Sequence, residues 1–213
     1  MPYTPWKKSR TYGDNYGGAL RRRDADDIRL RLHSFSAPNE YETLPIYRVD
    51  NPSRDWFHPI GVEQIQRALE VLPDDTKGDT THIWLRRQTN DKNDASFEAI
   101  WGSGVSLVTL YSVRKDMKRL HGAKKPSAIC RRTNSKFGAR ILCRSGLWYS
   151  IWNEIGLNKF YLEYALLEAL SYHSAYVWRD GRPNSSRARE QRQADWVRRH
   201  RPMFEELADY LLN

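Results

Sequence analysis

The side chains that could do chemistry in this chain are scattered. Its histidines stand at His33, His58, His82, His121, His173 and His200, and its cysteines at Cys130 and Cys143. None of them has a Cys or Asp at ligand spacing, and the two cysteines make neither a zinc ribbon nor a disulfide framework. The sequence holds no phosphate loop and no Gly-x-Gly-x-x-Gly. Trp101-Gly102-Ser103-Gly104 departs from the Gly-x-Ser-x-Gly nucleophile elbow and lies between two strand-like runs, so Gly-Ser-Gly reads as a turn. Asp24, Asp26 and Asp27 crowd beside Arg21, Arg22 and Arg23, which is more a self-neutralising patch than a metal site. Glu98 and Asp116 are carboxylates that a small nuclease would need to bring together across strands. No metal or cofactor is expected.

Basic residues are the stronger chemical signal. The formal net charge is +9 and is unevenly spread. Arg114, Lys115, Lys118, Arg119, Lys124, Lys125, Arg131, Arg132, Lys136, Arg140 and Arg144 share residues 114 to 144 with one acid, Asp116. A second cluster is Arg21 to Arg23. A third holds Arg187, Arg189, Arg192, Arg198, Arg199 and Arg201. Clustering of this kind attracts polyanions, either nucleic acid or an acidic protein. The candidate nucleic-acid-binding set is Arg114, Lys115, Lys118, Arg119, Lys124, Lys125, Arg131, Arg132, Arg187, Arg189, Arg198 and Arg199. In the first forty residues, Tyr3, Trp6, Tyr12 and Tyr16 could add stacking on unpaired bases.

The elements that must position these groups read as follows. Residues 1–40 are rich in Gly, Arg, Tyr and Pro without a period, and are expected to form a basic flexible arm; residues 41–213 make a single α+β domain. YETLPIYRVDNP holds one short strand. GVEQIQRALEVLP sets Val62, Ile65, Leu69 and Leu72 on one helical face before Pro73. THIWLRR reads as a strand, and FEAIW with GVSLVTLY as a hairpin. SVRKDMKRLHG reads as a short basic helix or turn. GARILCR and LWYSIW flank Ser145-Gly146 as a second hairpin. Asn158 is expected to cap a long helix, SRAREQRQADWVRRH to be a basic helix, and Pro202 to open a last one. Strands first and helices later suggest α+β: a small antiparallel or mixed sheet packed on a long buried helix, with C-terminal helices behind it.

The long helix, NKFYLEYALLEALSYHSAYVW, is apolar around most of its girth. Glu163, Glu168, Ser171 and Ser174 share an arc of about 140° and are expected on its wetter side. His173 falls on the apolar side, where a core histidine with one hydrogen bond is the expectation.

Lys159-Phe160-Tyr161-Leu162, then Leu166-Leu167, then Gln191-Arg192-Gln193-Ala194-Asp195-Trp196 on the next helix form an ordered run. In order, spacing and flanking aromatics it resembles the minimal bacterial zincin-like proteins, the His-Glu-x-x-His metalloprotease family. The resemblance covers residues 60 to 200 in layout, with its specific residues in 159 to 196. It implies a helix on which two imidazoles at i and i+4 grip zinc, a Glu beside the first acts as base, and a carboxylate of the next helix completes the site. Here those positions carry Glu168, Ala169, Tyr172 and Gln191. Tyr172 is a poor ligand and Ala169 cannot move a proton, so every catalytic role is vacant. The resemblance thus implies a zincin-like scaffold that has lost its zinc site.

The function expected is a non-catalytic binding protein that uses a basic surface for nucleic acid or an acidic partner. The alternative is an enzyme, either a diverged metalloprotease or a small nuclease. No apolar run is long enough to span a bilayer, and MPYTPWKKSR lacks the apolar core of a secretory signal. A reduced, cytoplasmic protein is expected, without membrane attachment.

Overall fold

The structure is a computed structural model and describes residues 32, 34–73, 80–88, 96–102, 104–174 and 186–212. It is a mixed α+β fold. Nine strands and four helices are described: β1 (Ile46–Val49), β2 (Trp56–Phe57), α1 (Val62–Glu70), β3 (His82–Arg86), β4 (Phe97–Gly102), β5 (Val105–Tyr111), β6 (Val113–Arg114), β7 (Lys118–Gly122), α2 (Ala128–Lys136), β8 (Arg140–Arg144), β9 (Leu147–Ile151), α3 and α4 (Ser186–Leu212). Helix α3 is continuous through Glu154–Lys159, a π-helical segment Phe160–Leu166, and Leu167–His173.

The main sheet has the order β1-β3-β5-β4, with β1, β3 and β5 parallel and β4 antiparallel at the edge. Strict alternation decides its two faces. Ile83, Leu85, Phe97, Val108 and Leu110 point to one side and join the principal core with α1, α3 and α4. Trp84, Ile100, Val105 and Leu107 form a smaller cluster on the other side. The edge hairpin β4–β5 follows the sequence pattern directly; on α1, Ile65 is buried as expected and Ala68 with it, Val62 and Leu69 are half-buried, and Leu72 is buried just beyond the helix.

Two further sheets carry the basic residues. β2 pairs with β6, and β7-β9-β8 is an antiparallel meander. In the β8–β9 turn Ser145 and Gly146 both have positive φ, 50° and 75°. Two left-handed residues in succession suit the right-handed twist of a tight hairpin, and Gly supplies one of them without strain. The stretch expected to be a short basic helix or turn, SVRKDMKRLHG, does hold a turn, with Met117 at φ 53°, but flanked by strands β6 and β7 rather than helical. Strand pairing to β9 and β2 overrides its weak helical pattern.

The helical end differs from expectation in three places. Asn153, not Asn158, caps α3, accepting from the Gly156 N–H at 2.7 Å. Gly156 is required there for space: a Cβ would lie 2.3 Å from the Phe137 carbonyl oxygen. The two helices expected on either side of Pro202 are one 27-residue helix; proline removes one backbone donor, and burial of Trp196, Val197, Phe204 and Ala208 offsets that loss. Helix α2 had no sequence signature. Ser127 caps it by accepting from Cys130 N, and Lys136 ties its end to Glu205 of α4 at 2.7 Å.

Of the arm, residues 1–31 and 33 lie outside the described residues. Its described end is packed. Leu32 is 5% exposed among Trp84, Ile100, Val105 and Leu107, and Phe35 stacks edge-on to His82 and Trp84. The domain therefore begins at or before residue 32, not at 41, because the second face of the sheet needs an apolar cover. Among the described residues no helix is long and apolar enough to cross a membrane.

Leu32→Ala removes a buried side chain from that small cluster. It is expected to destabilise the protein by about 2–3 kcal/mol in urea unfolding. A change near zero would return residue 32 to a dispensable arm.

Candidate functional site

Helix α3 is held between the main sheet and α4, and this fixes each motif position. The Glu168 carboxylate is half-buried and lies 3.7 Å from the Arg201 guanidinium of α4. Ala169 is fully buried in the core. Tyr172 is 2% exposed, with the Arg189 guanidinium 5.8 Å from its ring centre. Positions 168 and 172 thus both face α4. Gln191 does not face back. It is exposed, and its amide donates to Asp195 Oδ1 at 3.2 Å on its own helix. The polar residue on the buried seam of α4 is Gln193, which is in step with Trp196, Val197 and His200. The wet arc expected on α3 is also mostly dry: Glu163, Ser171 and Ser174 are buried, and Glu168 alone is half-exposed.

His173 is the core histidine its position implies. Nε2 donates to the Leu107 carbonyl at 3.3 Å, and burial lowers its pKa to about 4. Among the described residues no group of three or more His, Cys, Asp or Glu side chains is arranged to hold a metal ion.

A second polar chain escaped the sequence reading. His121 Nε2 lies 2.6 Å from Ser150 Oγ, which also accepts from Asn134 Nδ2 at 2.9 Å; Asn134 in turn reaches Cys130 Sγ at 3.6 Å. A Ser–His pair suggests a nucleophile, but Ser150 and Asn134 are both completely buried. No substrate reaches that hydroxyl, and the chain serves to fasten α2 to the meander.

The basic residues converge elsewhere. A cleft of about 430 Å³ opens where β6, the meander, the tip of β2 and the start of α3 meet. Arg114 comes from β6, Lys118 and Arg119 from β7, and Arg144 from β8. Asp116 is the one carboxylate among the residues lining it, 3.5 Å from Arg114 Nε and 3.3 Å from Lys118 Nζ. Arg119 Nη1 donates to Ser96 Oγ at 2.8 Å, which joins the meander to the main sheet. Trp56, Tyr149, Trp152, Phe160 and Tyr161 supply aromatic surface. Tyr161 is anchored by donating to the Tyr111 carbonyl at 2.8 Å.

Thus Arg114, Lys118 and Arg119 of the expected set come together, joined by Arg144. Lys115 lies on the exposed turn between β6 and β7. Lys124 and Lys125 lie beyond β7, with Lys125 Nζ 5.2 Å from the Trp148 ring centre. Arg132 faces a separate groove with Lys136, Glu168 and Arg201, while Arg131 is half-buried on α2. Arg187 and Arg199 are exposed on α4, Arg198 pairs with Asp195 at 2.7 Å, and Arg189 packs on Tyr172. The set is therefore not one surface. Glu98 is buried on β4, and Asp116 belongs to the cleft. The aromatic wall was overlooked, although Trp148-Tyr149-Ser150-Ile151-Trp152 stands beside the basic run in sequence.

Comparison with known proteins leaves the chain alone. No family model, no curated protein and no solved structure matches it.

Two outcomes test this geometry. Because the folded-state pKa of His173 lies below its ordinary value of 6.5, the unfolded chain binds more protons. Stability is then lost as pH falls from about 6.5 to about 4, by about 3 kcal/mol at full protonation. Burial lowers His58 and His82 in the same direction, whereas burial raises Glu163, which works oppositely. His173→Gln is expected to flatten the fall in melting temperature between pH 7 and pH 4.5 relative to the parent. A parallel fall would show that other groups dominate. Second, Glu168→His with Tyr172→His and Gln193→Glu is expected to gain more melting temperature on zinc addition than the same pair with Gln191→Glu. The reverse ranking would refute the seam assigned to α4.

Proposed function

We propose that this chain is a non-catalytic binding protein on a zincin-like scaffold without zinc chemistry, and that it binds nucleic acid through its basic cleft. The observation that carries the binding reading is the convergence of Arg114, Lys118, Arg119 and Arg144 on one aromatic-walled cleft with a single carboxylate among them. Guanidinium groups suit phosphate oxygens, and aromatic rings suit bases.

The scaffold reading is supported by layout. Strands and two helices precede α3, Leu166-Leu167 lead into positions 168 to 172, and both of those ligand positions face the following helix. It is weakened at Gln191, which points outward. The absence of catalysis is supported by chemistry: Ala169 carries no base, and Tyr172 is engaged under Arg189. A reducing, cytoplasmic setting agrees with the exposed thiol of Cys143.

Each phosphate neutralised releases counterions, so the affinity for a single strand should fall steeply with salt. With four cations engaged, a rise from about 50 to about 200 mM salt is expected to weaken binding about fifty-fold. Filter binding or anisotropy with a labelled oligonucleotide reads this directly. No binding of any strand at about 50 mM salt would overturn the nucleic-acid reading and leave an acidic protein as the partner to seek.

A further inference from the structure

We infer that the cleft is built for one unpaired nucleotide, with the phosphate on its cationic wall and the base on its aromatic wall. This rests on the reading of the cleft as the binding interface and adds what enters it. Three observations carry it.

Size comes first. A volume of about 430 Å³ lies within the span of small-ligand sites, about 300 to 1,000 Å³. It accommodates one base, sugar and phosphate but not a duplex, whose stacked bases stay inside the helix and present only groove edges.

Chemistry comes second. The cleft has two unlike walls, and each matches one end of a nucleotide. Arg144 and Lys118 are exposed at its mouth and can take phosphate oxygens with charge-assisted hydrogen bonds. Trp56 and Tyr149 are half-buried and bring ring surface to the same space. A base stacks on either without a sequence requirement.

The third observation is independent of charge. Trp152 lines the cleft and is 4% exposed, yet its Nε1 has no hydrogen-bond partner among the described residues. Buried indole N–H groups usually have an acceptor. Nε1 itself is covered by protein atoms, so a base reaches it only after a small shift of that cover, and its carbonyl or ring nitrogen is then an acceptor of the right kind. Asp116 lies between Arg114 and Lys118 in the way a phosphate would.

Two sources share this chemistry: a free nucleotide, and an unpaired residue of a single strand. Calorimetry and tryptophan fluorescence on the full chain at low salt separate them. The probes are AMP and UMP, inorganic phosphate, a 5′-phosphorylated single-stranded octamer, and a blunt duplex of the same sequence. The single strand is expected to bind at least tenfold more tightly than the duplex. AMP or UMP is expected to displace it from one site and to quench tryptophan emission. Arg144→Gln, at an exposed position that leaves the fold intact, and Trp56→Ala are each expected to weaken binding about tenfold. Asp116→Asn is expected to strengthen it severalfold. Arg67→Gln, on the exposed face of α1 and paired with Glu70, is expected to change nothing.

Equal binding of strand and duplex without displacement by AMP or UMP overturns the inference and leaves the nucleic-acid function standing. Nucleotide binding without any strand binding sustains the inference and overturns that function. Inorganic phosphate binding as tightly as AMP, with Trp56→Ala unchanged, reduces the cleft to an anion site and overturns the inference. Binding of none of the probes overturns both.

Discussion

The burial of α3 from Phe160 to His173, where only Tyr164 and Glu168 are partly exposed, is the constraint on which the rest of the molecule depends. Leu162, Ala165, Leu166, Ala169 and Leu170 occupy more than one side of this helix, and all are in the core. One side meets the main sheet through Phe97, Val108 and Leu110, and another meets Trp196, Phe204 and Ala208 of α4. A helix apolar all round must be central, so sheet and α4 take their positions from it. Its small residues let its neighbours approach, and its aromatic residues fill the ends. The π-helical segment Phe160–Leu166 has poorer hydrogen-bond geometry than an α-helix. Rings on both of its sides offset this: Phe160 packs on Phe137 and Trp152, and Tyr164 on Phe97.

Burial also sets the electrostatics. Polar groups carried by α3 find local partners: Ser171 Oγ donates to the Glu168 carbonyl at 2.6 Å, and His173 to Leu107. Burial raises the pKa of Glu163, with Lys159 and Lys136 nearby opposing the rise. Those same lysines pair with Asp209 and Glu205 of α4. The acids at the helical end are thus engaged with cations brought by α2 and α3. At the meander the balance differs, because Asp116 alone faces the cations of the cleft. The net charge of the chain becomes a local field there, and the low-lying aromatic walls limit the screening of a bound anion.

The elements legible in the sequence were those whose pattern and partner agree. β4–β5 and β8–β9 are adjacent hairpins with turn residues between alternating strands, and α1 presents a clean apolar face. Elements decided by distant partners were not legible. β7 is basic and becomes a strand by pairing with β9 some thirty residues later. α2 buries Cys130 and Asn134 rather than an aliphatic stripe. Gln191 was placed by motif spacing, yet the phase of α4 is set by Trp196, Val197 and Phe204, which turn position 191 outward. Position 172 faced α4 as spacing implied. The cleft was half legible: charge marked Arg114, Lys118 and Arg119, but Trp56 lies far from them in sequence and arrives only through the pairing of β2 with β6.

Core and meander divide the labour in this molecule. A base at position 169 would be a carboxylate buried against the sheet without a cation, which burial would hold neutral. Alanine there is buried in the core without that cost. The cleft draws on the opposite end of the same helix. Phe160, Tyr161 and Leu157 form part of its wall and belong at the same time to the principal core. The meander contributes the cations but has little core of its own, with β8 largely half-buried or exposed. It is held through Arg119 to Ser96 and through the buried Asn134–Ser150–His121 chain. A recognition surface placed on hairpins and braced by a helix buried over most of its length can change at its rim without disturbing the core.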